Sequence, residues 1–215
     1  MLLSLALMTS VCTIFVPLKD MNEMRTSGSL KNKSAFNFVL VWLNYALWAI
    51  YSSHLRSLDV VCGMYFMGLI ASCGYCCYYI YFVKDRETKK KIAYLYLRSV
   101  MAVALVAIYS RSGIHSLHDT NHIVGLLACI ATVCLAMFPL FMTPVVPEAA
   151  PSSVSMPIYL TNTTNFFLWF AYGYTIHDPY TTCSNLFAFL CSAVGIVIIT
   201  SGKVNIIHHK DQQHM

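Results

Sequence analysis

Charged residues are scarce in this chain. Only 11% of its 215 residues are charged, 58% are hydrophobic, and the mean hydropathy is +0.62. A soluble domain carries ~25% charged residues, and a disordered chain has low hydrophobicity, so the composition excludes both classes. A helix that crosses a bilayer needs about 20 apolar residues, and the chain has room for several such helices and short loops. The composition therefore predicts a polytopic membrane protein.

The sequence also lacks the features that would indicate an enzyme or a metalloprotein. Its nine cysteines lie within or beside apolar runs, which is not typical of a secreted disulfide framework. No metal-ligand cluster, nucleophile–base pair or phosphate-binding loop is visible, so we expect no catalytic residues, no metal and no cofactor. The basic residues that give the net charge of +5 lie between apolar runs. This placement indicates membrane topology, and we expect no nucleic-acid partner.

Apolar runs predict an all-α protein with seven transmembrane helices, at 2–18, 35–53, 59–83, 92–110, 122–143, 156–175 and 181–201. Eleven of the fourteen Lys and Arg residues lie in the connections on one side of the membrane. The positive-inside rule makes that side cytosolic. It predicts an extracellular N-terminus and a cytosolic C-terminus. The proline-rich connector 144–155 departs from the rule, because it should be cytosolic but contains Glu148 and no basic residue.

One pattern occurs twice: a Pro-Leu pair, followed about thirty residues later by Asn-x-x-x-Trp-x-x-Tyr. Its members are Pro17, Asn44, Trp48 and Tyr51 in the first copy, and Pro139, Asn165, Trp169 and Tyr172 in the second. An acidic residue follows each copy, Asp59 and Asp178. Because one extra helix separates the two three-helix copies, both run in the same direction through the membrane. Parallel repeats are a transporter architecture with the substrate at the repeat interface.

The residues of both copies resemble the SWEET sugar transporters (the MtN3/saliva repeat family) over essentially the whole chain. The strongest stretch is Ser155-Met-Pro157-x-Tyr159-Leu160, Asn165-x-x-x-Trp169-Phe-x-Tyr172-Gly173, Asp178-Pro179 and Asn185. The resemblance implies two parallel three-helix bundles joined by a linker helix. The first repeat would cover 1–83, the linker helix and its loops 84–121, the second repeat 122–202 and a cytosolic tail 203–215.

The substrate-binding residues are predicted from the repeated motif. Trp48 and Trp169 would stack on the apolar faces of a sugar ring, and Asn44 and Asn165 lie four residues earlier, on the same helix face. These asparagines, and Asn185, can exchange hydrogen bonds with sugar hydroxyls without adding charge. The alternatives are tryptophans of an interfacial belt and asparagines that join helices. The resemblance adds four pocket-floor positions, for which helix packing is the alternative: Ser10, Thr13, Thr132 and Leu135.

The resemblance also implies hinges for alternating access. A proline bends a helix because it removes one backbone hydrogen bond, and the hinge residues would be Pro17, Pro139 and Pro157. A helix terminus is the alternative interpretation, above all for Pro157. Asn37 stands where the family has a fourth proline, and either Tyr65 or Met64 stands where it has an asparagine in the third helix.

An extracellular gate is implied as well, formed by Tyr51, Tyr172 and Asp178. Arg56 is a nearby cation that could pair with Asp178, and a solvated loop charge is the alternative for it. The predicted function is a facilitative, bidirectional uniporter for mono- or disaccharides in the plasma membrane, with an endomembrane as the alternative. Its expected partners are the sugar and membrane lipids, and a second copy of the chain is a further candidate.

Two other functions compete with sugar transport. A seven-helix receptor has the same topology, but it lacks a parallel repeat, and cysteines for an outer-loop disulfide are missing here. A PQ-loop carrier of another small solute would have glutamine after the repeat prolines. In this chain Leu18 and Leu140 follow them.

Overall fold

The computed structural model describes residues 1–28, 30, 33–55, 59–142 and 156–213. These residues form helices joined by short turns, so the predicted all-α class is confirmed. The connector 144–155 lies outside the described residues. The helices are α1 (Leu2–Phe15), α2 (Pro17–Ser27), α3 (Ala35–His54), α4 (Asp59–Phe82), α5 (Arg86–Arg111), α6 (Leu117–Met142), α7 (Met156–Thr175) and α8 (Pro179–Gln213).

Six segments of the described residues are long and apolar enough to cross a membrane: α1 together with α2, then α3, α4, α5, α6 and the first part of α8. With 20 residues, α7 is also long enough, but the polar run Thr161–Asn165 lowers its hydropathy. Large apolar side chains that suit contact with lipid are exposed on α5, such as Leu105 at 66% and Ile108 at 67%. The predicted seven-helix membrane fold is thus confirmed, with α1 and α2 as one interrupted first helix.

Two helices begin before their apolar runs, because polar side chains cap them. Asp85 accepts a hydrogen bond from the Thr88 backbone N–H at 2.7 Å, so α5 begins six residues earlier than its apolar run. Ser116 precedes α6; its hydroxyl donates to the Asp119 carboxylate at 2.7 Å and accepts from the Asp119 N–H at 3.1 Å. At the other end of the chain, α8 continues to Gln213, so helix extends into the predicted tail.

The chain divides into two compact units, Ser10–Leu135 and Met1–Thr9 with Ala136–Met215. The first unit contains α2 to α5, the end of α1 and most of α6. The second contains α7, α8, the beginning of α1 and the end of α6. The first helix of each predicted repeat, α1 or α6, therefore contributes residues to both units.

Aromatic side chains dominate the core of the Ser10–Leu135 unit. Phe38 packs on Tyr79 and Trp42 on Tyr96, each pair with ring centroids 5.2 Å apart. The Trp42 and Tyr96 rings meet edge to face, the favoured arrangement of two aromatic quadrupoles. These contacts hold α3 against α4 and α5.

Glycines allow close helix contacts in both units. A Cβ at Gly68 of α4 would lie 2.4 Å from the ring of Tyr45 in α3. In the other unit, a Cβ at Gly195 of α8 would lie 2.3 Å from the ring of Tyr159 in α7. Both distances are shorter than any normal carbon contact, so the hydrogen side chain is required for these tyrosines to pack where they do.

An ion-pair cluster joins α2 to the residues that precede α3. The Lys33 ammonium contacts the Asp20 carboxylate and lies 3.1 Å from Glu23, while the Tyr79 hydroxyl donates to the Lys33 carbonyl at 2.9 Å. Burial lowers the pKa of Lys33, but the two carboxylates raise it more, so the net pKa lies above its usual 10.5. Because the pKa of Lys33 is higher in the folded than in the unfolded chain, its charged form stabilises the fold fully at pH values below 10.5. This stabilisation is lost as the pH rises through the folded-state pKa. The cluster is therefore charged at neutral pH.

Candidate functional site

In the Ser10–Leu135 unit, one threonine connects the asparagine and the tryptophan of the first motif. The Trp48 indole N–H donates to the Thr132 hydroxyl at 2.8 Å, and that hydroxyl donates to Asn44 Oδ1, also at 2.8 Å. Trp48 and Thr132 are each only 3% exposed. Because residues four apart share one face of a helix, a single hydroxyl on α6 contacts both motif residues of α3. The result is a buried, neutral polar cluster.

Two tyrosines enclose Trp48. Tyr51 meets it edge to face, with ring centroids 5.5 Å apart and planes at 82°. Tyr65 of α4 stacks on it, with centroids 5.9 Å apart and planes at 19°. The ring of Tyr45 in α3 also lies near Tyr65, with centroids 6.5 Å apart. One face of the Trp48 indole is thus covered by a tyrosine ring.

The second motif lies in the other unit and has a similar local geometry. Trp169 meets Tyr172 edge to face, with centroids 5.7 Å apart and planes at 82°. Asn165 Oδ1 accepts a hydrogen bond from the Thr9 hydroxyl of α1 at 3.0 Å. Trp169 is 4% exposed and Asn165 9%. The structure therefore assembles a second asparagine–tryptophan cluster, again with a hydroxyl that donates to the asparagine.

Asn185 is buried near the start of α8. Its side-chain amide donates to the Thr181 carbonyl one turn earlier, at 2.8 Å. In the first repeat, Met64 and Tyr65 of α4 are both buried, and Tyr65 stacks on Trp48. Which of the two corresponds to Asn185 stays a prediction.

The four pocket-floor positions are divided between α1 and α6. Ser10 is buried, and its carbonyl accepts a hydrogen bond from the Thr13 hydroxyl at 2.8 Å. Thr132 bonds directly to the first motif, as described above. Leu135 is half-buried, three residues after Thr132.

The three predicted hinge prolines occupy different helix positions. Pro17 is the first residue of α2, directly after the interruption at Val16. Pro139 lies inside α6, three residues before its end. Pro157 is the second residue of α7, where a missing N–H leaves no helical bond unmade. Asn37, in place of the fourth proline, continues the first turn of α3. Hinge motion at these positions stays a prediction.

Asp178, one of the predicted gate residues, caps α8. Its carboxylate accepts from the backbone N–H groups of Tyr180 at 3.2 Å and Thr181 at 3.3 Å, and from the Thr181 hydroxyl. A carboxylate at a helix N-terminus satisfies free N–H groups and interacts favourably with the helix dipole. The Asp178 backbone N–H donates to the carbonyl of Gly173, the residue after Tyr172, at 3.0 Å. Asp178 therefore lies beside the end of α7 that contains Tyr172, whereas Arg56 lies outside the described residues.

Two contacts of these clusters were not predicted. The repeat aligns Ser10 with Thr132, but the hydroxyl that bonds Asn165 is that of Thr9. The sequence does not distinguish these two adjacent hydroxyls, because the spacing from the proline to the tryptophan differs by one residue between the two copies of the motif. The stacking role of Tyr65 did have a signal, namely the absence of the family's asparagine in that helix.

Comparison with known families agrees with the predicted resemblance. Residues 122–201 match the MtN3 family, described as sugar efflux transporters for intercellular exchange. The resemblance to the SWEET family is confirmed. The fold is also similar to a solved structure of a eukaryotic SWEET transporter, with a TM-score of 0.80 and 16% identity over 93% of this chain and 94% of that one. At this identity the second match shows the fold alone. No curated protein sequence matches the chain.

The family match covers the second predicted repeat, where the motif of Asn165, Trp169 and Asn185 is intact. Together with the apolar helices, it supports an integral membrane protein that is a transporter rather than an enzyme, and it supports sugar transport. The matched segment does not include the two places where the first repeat departs from the family, which are Asn37 and either Tyr65 or Met64.

Proposed function

We propose that the chain is a facilitative sugar uniporter, which moves mono- or disaccharides in either direction by alternating access. One observation carries the uniport mechanism. Among the described residues, the buried polar side chains are serines, threonines, asparagines and a single carboxylate, Asp178, which caps α8. A proton-coupled carrier needs an ionisable group to bind its driving ion. Hydroxyls and amides instead suit a neutral substrate with many hydroxyl groups.

The residues proposed to contact the sugar are those of the two asparagine–tryptophan clusters, together with Asn185. A belt tryptophan would point toward the membrane interface, but Trp48 and Trp169 are only 3% and 4% exposed. Their burial beside Asn44 and Asn165 supports an interior role over the belt. The proposed pocket floor consists of Ser10, Thr13, Thr132 and Leu135.

The conformational change is proposed to use Pro17, Pro139 and Pro157 as hinges. The helix interruption before Pro17 and the position of Pro139 inside α6 support this for two of them. Tyr51, Tyr172 and the cap Asp178 would form the extracellular gate. We further propose a plasma-membrane protein with an extracellular N-terminus and a cytosolic C-terminus, surrounded by lipid and able to associate with a second copy.

Tracer flux in cells that lack their own sugar transporters tests the function. Cells that express the chain should take up labelled glucose or sucrose until the two sides are equal, and preloaded cells should release it. Both fluxes should survive a proton uncoupler. Accumulation above the external concentration that the uncoupler abolishes would contradict uniport. Absence of any sugar flux from a protein verified at the cell surface would contradict sugar transport, and amino-acid flux would favour a PQ-loop-like carrier.

A further inference from the structure

An exposed arginine lies within the apolar part of α5. Arg98 follows Ile92, where the apolar run of this helix begins, by six residues. At 1.5 Å per residue, it lies about 9 Å inside that run. A charge is costly in hydrocarbon, so the guanidinium needs water or an anion. Among the described residues, no carboxylate forms an ion pair with Arg98.

The Arg98 side chain points away from the neighbouring helices. Tyr96 marks the packed side of α5, because its ring contacts Trp42 of α3 and its hydroxyl donates to the Cys73 sulfur of α4 at 3.1 Å. Two residues along a helix correspond to about 200° around its axis, so Arg98 lies on the opposite side. Arg98 is exposed there, as is Tyr94 at 62%. In the membrane this side of α5 faces lipid.

Basic residues are concentrated at the N-terminal end of the same helix. Residues 84–91 include five lysines and arginines but only two acidic residues, and all of them are exposed. Both acidic side chains are engaged locally, because the Glu87 carboxylate pairs with Lys90 at 2.9 Å and the Asp85 carboxylate caps α5. The segment therefore has an excess of positive charge beside the membrane.

Lys91 and Tyr94 share a face of α5 with Arg98. Lys91 precedes Arg98 by seven residues and Tyr94 precedes it by four, and both spacings bring side chains to the same side of a helix. Each Cα–Cβ bond of a helix tilts toward its N-terminus. The Arg98 side chain therefore leans toward Lys91 and toward the membrane surface. A phosphate at that level can accept hydrogen bonds from the guanidinium, the ammonium and the phenol.

Building on the proposed orientation, which puts this end of α5 in the cytosolic leaflet, we infer that Lys91, Tyr94 and Arg98 bind the headgroup phosphate of an anionic phospholipid. Arginine binds phosphate through two parallel hydrogen bonds, and the cytosolic leaflet contains anionic lipids. The acyl chains lie along exposed apolar side chains further down the same face, Met101 and Leu105. A phospholipid fits both parts of this surface, whereas a free phosphate fits only the basic part.

The test measures lipid binding to the purified full-length protein in detergent, without sugar. Phosphatidylglycerol, phosphatidylcholine and soluble glycerol 3-phosphate are the three probes. Phosphatidylglycerol should raise the melting temperature by mass action. In native mass spectrometry it should bind at least about fivefold more tightly than phosphatidylcholine, because each basic residue near an anionic lipid contributes about 1 kcal/mol. Glycerol 3-phosphate should leave the melting temperature unchanged.

Variants of α5 locate the site. Arg98→Gln and Lys91→Gln should each lower the affinity for phosphatidylglycerol about fivefold, whereas Arg98→Lys keeps the charge and should retain most of the preference. Arg111 provides the matched control, because it is an exposed arginine at the opposite end of the same helix. Arg111→Gln should leave the affinities for both lipids unchanged.

Equal affinity of the wild type for the two lipids would overturn the inference, and this comparison decides it even if the variants are unstable. An undiminished preference in Arg98→Gln, or an equal loss in Arg111→Gln, would show that the lipid does not bind at this site. Stabilisation by glycerol 3-phosphate equal to that by phosphatidylglycerol would show that the ligand is a free anion. Because the measurements contain no sugar, each of these results leaves the uniporter proposal standing.

Discussion

The hydroxyl of Thr132 in α6 lies 2.8 Å from the indole nitrogen of Trp48 in α3 and accepts its hydrogen bond. The same hydroxyl donates to Asn44, and on the second motif Thr9 of α1 donates to Asn165. In both cases the hydroxyl belongs to the first helix of one predicted repeat and the asparagine to the other repeat. The two copies therefore complete each other's polar clusters.

Replacing Thr132 by valine should destabilise the protein and lower transport. Valine keeps the shape but leaves the buried indole N–H of Trp48 and the oxygen of Asn44 without this partner, at about 1–3 kcal/mol for each unpaired group. Thr132→Ser keeps the hydroxyl and should retain most of the activity. Melting of the purified protein in detergent and sugar uptake per surface molecule measure the two effects. Equal values for Thr132→Val and the wild type would show that the hydrogen bonds are dispensable.

The membrane fold was predictable because the bilayer imposes a length and an apolarity on each span. The run 156–175 coincides with α7, and the motif spacing identified the two tryptophans that the structure buries. Helix starts were less predictable from apolarity alone. Asp85 and Ser116 extend α5 and α6 into polar sequence, because a cap stabilises a helix through hydrogen bonds rather than hydrophobic burial.

The partners within each cluster were not predictable, because they lie on helices far apart in sequence. Thr132 was predicted as a floor residue, but nothing in the sequence says that its hydroxyl bonds Trp48, 84 positions away. Similarly, the sequence leaves open whether Met64 or Tyr65 stands at the position of the family's asparagine. Of the two, Tyr65 stacks on Trp48, a contact between different helices that no sequence pattern predicts.

Two substitutions at Asp178 should separate helix capping from gating. Asp178→Ala removes the acceptor for the first N–H groups of α8 and should lower stability by about 1 kcal/mol. Asp178→Asn keeps an acceptor oxygen and should melt close to the wild type. If the negative charge also serves the gate beside Tyr172, Asp178→Asn should still slow transport. The melting temperature and the uptake per surface molecule, measured together, distinguish the two roles. Wild-type uptake by Asp178→Asn would show that gating does not need the negative charge of Asp178.

Two glycines of α4 provide a paired test of helix packing. Gly68→Ala would place a methyl group 2.4 Å from the ring of Tyr45, and overpacking of this kind costs about 1–3 kcal/mol. At Gly63 no atom lies within 4 Å of the added Cβ, so Gly63→Ala should be neutral or slightly stabilising through its better helix propensity. The melting temperatures of the two variants should differ accordingly. Equal melting temperatures would show that α3 and α4 are not as closely packed as described.

Tags at the two ends of the chain should lie on opposite faces of the membrane. Eleven of the fourteen basic residues lie in the connections predicted to be cytosolic, and positive charge on the cytosolic side sets helix orientation. An N-terminal tag should react with antibody on intact cells, whereas a C-terminal tag should react only after permeabilisation. The same accessibility for both tags would contradict an odd number of spans.

The buried tryptophans and Asn185 are the residues whose loss should affect transport most directly. Trp48→Ala and Trp169→Ala would each remove a proposed stacking surface for the sugar ring. Loss of an aromatic contact costs about 0.5–1.5 kcal/mol, and the upper end of that range is roughly a factor of ten in sugar affinity.

Asn185→Ala should lower affinity to a similar or greater degree, because a sugar hydroxyl that loses its partner in a confined site costs about 1–3 kcal/mol. The third tryptophan provides the matched control. Trp42 lies in the aromatic core against Tyr96, so Trp42→Phe should change stability rather than the concentration dependence of uptake. The measurement is uptake against sugar concentration, normalised to surface protein, for all four variants. If Trp48→Ala, Trp169→Ala and Asn185→Ala each transport as well per molecule as the wild type, these residues do not bind the substrate, even though the fold is unchanged.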